Sequence, residues 1–167
     1  KYLVNILVNV VIATPLIVII IIGYYFIAPA FSLNNALVIG IIILSTYSCV
    51  YIYQIYDASV SSIETSQLES AKMLGMSSFQ TYFYVILPQM LKNSLPPLVG
   101  QLSNIIKNSA LLSYVAISEF TNVMNQIKAN SFIIFESYLI LALGYLIITI
   151  PLIYLSRYLE KYLRRGI

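Results

Sequence analysis

Fifty-five consecutive residues, from Tyr2 to Tyr56, contain no Asp, Glu, Lys or Arg. A helix that crosses a bilayer needs about 20 apolar residues, so this run is long enough for two crossings. The first predicted span covers about 4–28, contains Pro15 and stops before Pro29, where Ser32, Asn34 and Asn35 make a polar turn. The second covers about 36–56 and ends at Asp57. So short a turn makes the two antiparallel neighbours. The composition then changes. Residues 57–94 mix charged side chains with Ser, Thr and Gln and read as an extramembrane loop. A third span is predicted over about 95–117, following Pro96-Pro97. A fourth covers about 132–155, where Ser137 to Ser156 carry no charge. The expected fold class is all-α: a polytopic membrane protein with four transmembrane helices and a helix-turn-helix loop, in one domain covering 1–167.

Composition supports this class and removes others. Apolar residues make up 60% of the chain and charged ones 9%, against roughly 25% charged in soluble domains. There is no His and no Trp, and Cys49 is the only cysteine. The 167 residues therefore supply no His-bearing zinc site, no Ser-His-Asp or Cys-His nucleophile and no intrachain disulfide. Asp57, Glu64, Glu69, Glu119, Glu136 and Glu160 show no metal-ligand spacing, so no catalytic residue, metal site or bound cofactor is expected. The net charge of +3 forms no stripe interleaved with aromatics, and nucleic acid is not an expected partner. Basic residues near the spans set the orientation instead. A cytoplasmic tail with Arg157, Lys161, Arg164 and Arg165 puts Lys1, Lys72 and Lys92 on the same side after four crossings. Only Lys128 is left outside, and both termini are expected to be cytoplasmic. The chain opens inside a hydrophobic run without an initiator Met or a signal-peptide n-region, as a fragment missing an earlier segment would.

The loop has its own punctuation. Ser66-Gln67-Leu68-Glu69 and Ser77-Ser78-Phe79-Gln80 both fit the capping box, in which a Ser and a Glu or Gln three residues later satisfy each other's backbone amides. Gly75 between them suits the left-handed residue that ends a helix, and Pro88 is expected to interrupt the second helix. The unit presents Met73, Met76, Phe79, Tyr82 and Phe83 with few charges, a surface that calls for a partner. In the third segment, Lys107 carries an insertion cost of about 2.5–3.5 kcal/mol at a helix centre, so it is expected to face a partner or a wet cavity. Gln101, Asn104 and Asn108 recur at helical spacing beside Lys107 and Ser109. This stripe is the candidate solute pathway, although pairing of Lys107 with a carbonyl explains its place equally well. Tyr24, Tyr25, Tyr138 and Tyr154 read as interfacial anchors, and Cys49 as a small packing residue.

These residues resemble a known family. Glu69-Ser70-Ala71, then Gly75, then Val85-Ile86-Leu87-Pro88 look like the EAA loop of permease subunits in bacterial ATP-binding-cassette (ABC) importers. The polar amino-acid branch is further resembled at Thr14-Pro15-Leu16, Leu87-Pro88-Gln89, Leu95-Pro96-Pro97-Leu98, Lys107-Asn108-Ser109-Ala110-Leu111 and Glu119-Phe120-Thr121. The chain departs from that branch in three places. Ile12-Ala13 stand where Arg-Gly is usual, Ser70 replaces an Ala, and Gln54 and Asp57 stand where the pattern has Glu and Arg.

The resemblance implies a binding-protein-dependent transport inner-membrane component, with four of five expected spans present and the first missing. It places Glu69, Ser70, Ala71, Gly75, Met76, Phe79, Leu87 and Pro88 in an ATPase-coupling loop; Glu69 keeps its alternative reading as a capping residue. The implied partners are a dimer of ABC ATPase subunits, a second permease subunit that is a copy or a homologue, an external solute-binding protein, a polar amino acid and the lipid bilayer. ATP and Mg belong to the ATPase, since no G-x-x-x-x-G-K-[ST] loop is present here. The implied location is the bacterial cytoplasmic (inner) membrane, multi-pass. A different class, a membrane scaffold using the loop only for docking, predicts an unpolar third span, and Lys107 counts against it.

Overall fold

A computed structural model describes the backbone of residues 2–164 and the side chains of residues 2–163. Lys1 and Arg165 of the charge count lie outside the described residues, as does the side chain of Arg164. Every regular element among them is helical: α1 (Tyr2–Ala13), α2 (Leu16–Ile22), a π turn (Gly23–Ile27), α3 (Ala28–Ala30), α4 (Ala36–Ser61), α5 (Thr65–Met73), α6 (Ser78–Thr81), a second π turn (Tyr82–Ile86), α7 (Leu87–Ser109), a 3-10 segment (Ala110–Val115), α8 (Phe120–Ser131) and α9 (Ile134–Arg164).

The first segment, expected as one span over 4–28, is a bent pair of helices, a broken span or a re-entrant loop. It bends by 102° between Tyr2–Ala13 and Leu16–Ala30, and Pro15 is the cause. Proline has no N–H, so the Val11 carbonyl loses its usual donor and accepts from the Thr14 amide instead, at 3.3 Å. That releases the Val10 carbonyl, which accepts from the Thr14 hydroxyl at 2.7 Å. α1 is thereby closed off and the chain turns. At 1.5 Å per residue Leu16–Ala30 is about 22 Å long, short of an about 30 Å hydrocarbon core.

Among the described residues two helices are long and apolar enough to cross a membrane, α4 and Ile134–Leu163 of α9, with the bent pair a third if it counts as one span. α4 corresponds to the second predicted span but continues through Asp57 to Ser61; its start is capped by Asn35, whose Oδ1 accepts from the Val38 amide at 3.1 Å. α9 corresponds to the fourth and runs on to Arg164 with Pro151 inside it. The third prediction is corrected. α7 begins at Leu87, holds Pro96 and Pro97 in its interior and gives way to the 3-10 segment before Ile117. It fails the same test because Gln89, Lys92, Asn93, Gln101, Asn104, Lys107 and Asn108 interrupt its apolar positions. Where a connection was expected after it, α8 forms.

The chain divides into two compact units: residues up to Val50 with Ser103–Ile150, and Tyr51–Leu102 with the segment from Pro151 onward. The core of the first consists of Leu16, Ile20, Ala28, Ile39, Ile43, Leu44, Leu112, Val115 and Ile117. Gly40 makes this packing possible, because a Cβ there would stand 2.7 Å from Ile117 Cδ1 and 3.1 Å from Leu112 Cδ1. A β-branched side chain at position 40 must push both aside. Gly40→Val is therefore expected to destabilise the protein by about 1–3 kcal/mol. Gly40→Ala should be nearly neutral, since the end of Ile117 can yield and alanine gains about 1 kcal/mol in a helix. Thermal unfolding in detergent reads both.

Candidate functional site

The loop read as the sequence's docking element lies in the second unit and is built from α5, a turn and α6. α5 starts at Thr65 with Glu64 as its N-cap. The capping box expected at Ser66 and Glu69 is absent: the helix starts two residues earlier, with Glu64 as N-cap, and the Ser66 hydroxyl donates to the Glu64 carboxylate at 3.1 Å. Glu69 is exposed and bonds to no other described side chain. The second box forms as expected. The Ser77 amide donates to Gln80 Oε1 at 2.8 Å and the Gln80 amide to Ser77 Oγ at 3.3 Å.

The turn between the helices is a complete Schellman closure. Gly75 sits at φ +71°, its amide donates to the Lys72 carbonyl at 3.0 Å, and the Met76 amide donates to the Ala71 carbonyl at 3.1 Å. Ala71 is buried. Ser70, where the family pattern has Ala, donates its hydroxyl to the Ser66 carbonyl at 2.9 Å, so the added oxygen stays within the helix.

Pro88 does not end the second helix, contrary to expectation. A π turn over Tyr82–Ile86 inserts one residue, and the Leu87 amide bonds back to the Tyr82 carbonyl. The wider turn relieves the clash a proline ring makes with the carbonyl four residues earlier. α6, the π turn and α7 therefore form one helical path from Ser78 to Ser109. Side chains tie this path to its neighbours: Gln89 Nε2 donates to Gln67 Oε1 at 2.6 Å and Asn93 Nδ2 to Ser62 Oγ at 2.9 Å. Leu87 is half-buried and Pro88 exposed.

The apolar surface is larger at the turn than the sequence indicated. Met73 is 86% exposed, Leu74 81% and Phe79 71%. Phe79 packs on Phe83 with ring centroids 4.4 Å apart and planes tilted by 40°. Tyr82 and Phe83 are partly exposed, whereas Met76 is half-buried. Leu74 was missed because it follows the last apolar position of α5, and its exposure comes from the reversal at Gly75.

The pathway candidates all lie on α7 but in different surroundings. Gln101 is buried in the second unit, where it lines a cleft between α4, α7 and α9. Asn104, Lys107, Asn108 and Ser109 belong to the first unit. There Asn104 and Lys107 are exposed, and Asn108 and Ser109 are half-buried. The Ser109 hydroxyl donates to the Ile106 carbonyl at 2.8 Å. Only Gln101 of the five lines that cleft.

Glu119 has a role that sequence reasoning missed. It caps α8, accepting the Thr121 amide at 2.8 Å and the Asn122 amide at 2.7 Å. Tyr145 of α9 joins the pair through Thr121 Oγ1 at 2.9 Å and Glu119 at 3.4 Å. A carboxylate ahead of the polar run Asn122, Asn125, Gln126 is the signal that marks such a start. At the far end of α8, Lys128 donates to the Tyr138 hydroxyl at 2.9 Å and lies 4.8 Å from that ring's centroid.

Residues 1–166 match the family described as binding-protein-dependent transport system inner membrane component. The chain is 33% identical over 127 residues to the probable glutamine ABC transporter permease protein GlnM of Bacillus subtilis, covering 76% of this chain and 59% of that protein. It is 32% identical over 150 residues to the glutamine transport system permease protein GlnP of Escherichia coli K12, with 89% and 68% covered. A chain in the crystal structure of an amino acid ABC transporter with histidines superposes with a TM-score of 0.86 at 28% identity, covering 93% of this chain and 72% of that one. This chain thus spans between half and two thirds of the length of the first relatives it matches.

The two loop caps generate a paired test. Ser77→Ala removes the Oγ acceptor of the closed box, leaving only the bond from the backbone amide to Gln80, and is expected to cost about 1 kcal/mol, while Ser66→Ala, which caps nothing, should change stability by less than about 0.5 kcal/mol. Thermal unfolding and protease cleavage rates within 64–82 distinguish them.

Proposed function

This chain belongs to the family of binding-protein-dependent transport system inner membrane components, and from that premise we propose that it is a permease subunit of an ATP-driven importer of a polar amino acid. The α5–α6 turn docks on a partner ATPase in the cytoplasm, where ATP and Mg are bound. A second permease subunit supplies the other half of the pathway, and an external binding protein delivers the solute.

The observation that supports this most is the exposed turn itself. Met73, Leu74 and Phe79 form an apolar surface on a backbone held by a Schellman closure and a capping box. A surface that is both apolar and pre-ordered loses little entropy on docking. Because α6 continues through the π turn into α7, a displacement at the turn is passed along a single helical path instead of being absorbed by a flexible loop. That path carries Gln101, Asn104, Lys107, Asn108 and Ser109, the polar face proposed to line the solute pathway. A scaffold has no use for a cation and three amides on such a helix.

The choice of solute draws on the relatives. GlnM and GlnP are named for glutamine, and the similar crystal structure is of an amino acid transporter with histidines. Both are polar amino acids, the class of solute proposed here. The basic residues Arg157 and Lys161 at the end of α9 support a cytoplasmic C-terminus.

In proteoliposomes holding the full-length subunit with its ATPase and binding protein, Glu69→Lys and Gly75→Asp are each expected to reduce ATP-driven L-glutamine uptake by more than about tenfold. The first reverses a charge at the docking turn; the second places a side chain at φ +71°, a conformation costing about 1–2 kcal/mol outside glycine. Both variants should still insert in the membrane, and ATPase co-purification should fall with uptake. Normal uptake by both would sink the coupling assignment.

A further inference from the structure

Between Tyr154 and Tyr162, α9 carries a surface that neither the docking turn nor the α7 stripe uses. Arg157 and Lys161 stand one turn apart and are exposed, and neither forms a hydrogen bond or ion pair with another described side chain. Tyr154, Tyr158 and Tyr162 recur at every fourth position and are 67%, 64% and 65% exposed. The Tyr158 and Tyr162 rings lie 15° from parallel with centroids 6.1 Å apart. At 3.6 residues per turn these five side chains occupy one arc of roughly 140° on the helix. Glu160, the acid nearest to them in the chain, lines the cleft of the second unit together with Ser156 and Leu163. The arc itself therefore holds two cations and no acid.

The helix also sets the depth of this arc. Ser137–Ser156 carries no charge and is bracketed by Glu136 and Arg157. At about 1.5 Å per residue that run is about 30 Å long, which matches the hydrocarbon core of a bilayer. Arg157 is then the first residue past the hydrocarbon, and Tyr158, Lys161 and Tyr162 follow in the headgroup layer. Phosphate oxygens are the acceptors available there. A guanidinium takes two of them at once, the Lys161 ammonium adds a point charge one turn further on, and the tyrosine hydroxyls add neutral donors. Ile153 and Leu155, exposed on either side of the arc, are apolar neighbours for acyl chains.

The charge on the arc discriminates between headgroups. The ammonium of a zwitterionic headgroup finds no acid here and meets two cations, whereas an anionic headgroup meets no charge of its own sign. We propose that the Arg157–Lys161 face of α9 binds the phosphate of an anionic phospholipid of the phosphatidylglycerol class, with Tyr158 and Tyr162 packed beside the headgroup. The inference uses the membrane location of α9 and does not depend on which solute is carried.

Leu155 stands three positions before Tyr158, one turn away at the edge of the arc, and suits a photo-crosslinker. The full-length transporter complex, with p-benzoylphenylalanine in place of Leu155, is irradiated in nanodiscs of equal phosphatidylglycerol and phosphatidylethanolamine, and the adducts at position 155 are identified by mass. Phosphatidylglycerol adducts should exceed phosphatidylethanolamine adducts about tenfold, as two cations at an anionic headgroup imply, and the excess should shrink in about 0.5 M salt. Arg157→Gln combined with Lys161→Gln should bring the ratio close to one. Lys92→Gln, which removes a cation of α7, should leave it unchanged. A ratio near one in the unsubstituted complex, adducts formed mainly with the ATPase or the second permease subunit, or no lipid adduct overturns the assignment, and none of these outcomes depends on how the variants fold. An undiminished ratio in the double variant overturns it as well. Each of these results leaves the transport reading standing, which ATP-driven L-glutamine uptake tests separately.

Discussion

A chain in lipid must satisfy its backbone hydrogen bonds internally, because no water replaces a missing partner. Six prolines in this sequence remove six amide donors, and much of the architecture follows from how those gaps are absorbed. Pro15 is absorbed by a bend, with the Thr14 amide and hydroxyl taking the two displaced carbonyls. Pro29 and Pro88 are absorbed without one. Each is preceded by a π turn ending two residues before it, and in each the intervening residue, Ala28 or Leu87, bonds to the carbonyl five residues back, Gly23 or Tyr82. The same device at both sites keeps the helices continuous.

That continuity matters more at Pro88 than at Pro29. Had the helix broken at Pro88, the α5–α6 turn would hang from a flexible joint, and a push on Met73, Leu74 and Phe79 would be lost there. With the π turn in place, the turn and the polar α7 helix are parts of one path. Its bonds to α5 through Gln67–Gln89 and to the end of α4 through Ser62–Asn93 hold the turn at a set orientation. The coupling reading draws on this stiffness to transmit a movement.

Elsewhere the molecule uses short polar fasteners between α8 and α9. Glu119 serves both as the cap of α8 and as a partner for Tyr145 of α9. Lys128 closes the other end of α8 on Tyr138. Polar contacts of this kind are strengthened where water is excluded. They tie α8 down although its mixed composition gives it little apolar area to bury.

The sequence by itself determined the all-helical membrane class, α4 and α9, the cap at Ser77, the left-handed turn at Gly75 and the EAA pattern around them. Each of these rests on hydropathy or on bonds between residues three to five apart, and such interactions are written in neighbouring letters. The tertiary structure decided the rest. Pro15 and Pro88 look alike in the sequence, yet one bends its helix and the other is carried through, because the outcome depends on which carbonyls find another donor. The N-cap of α5 is Glu64 instead of Ser66, with no side-chain cap bond. Gln101, Asn104 and Asn108 of the α7 stripe share a helical spacing, but Gln101 lies in one unit and the other two, with Lys107 and Ser109, in the other. The bond from the Ser156 hydroxyl to the Pro96 carbonyl, 60 positions apart in the sequence, follows only from the packing of α7 and α9, since no local interaction relates residues so distant in the chain.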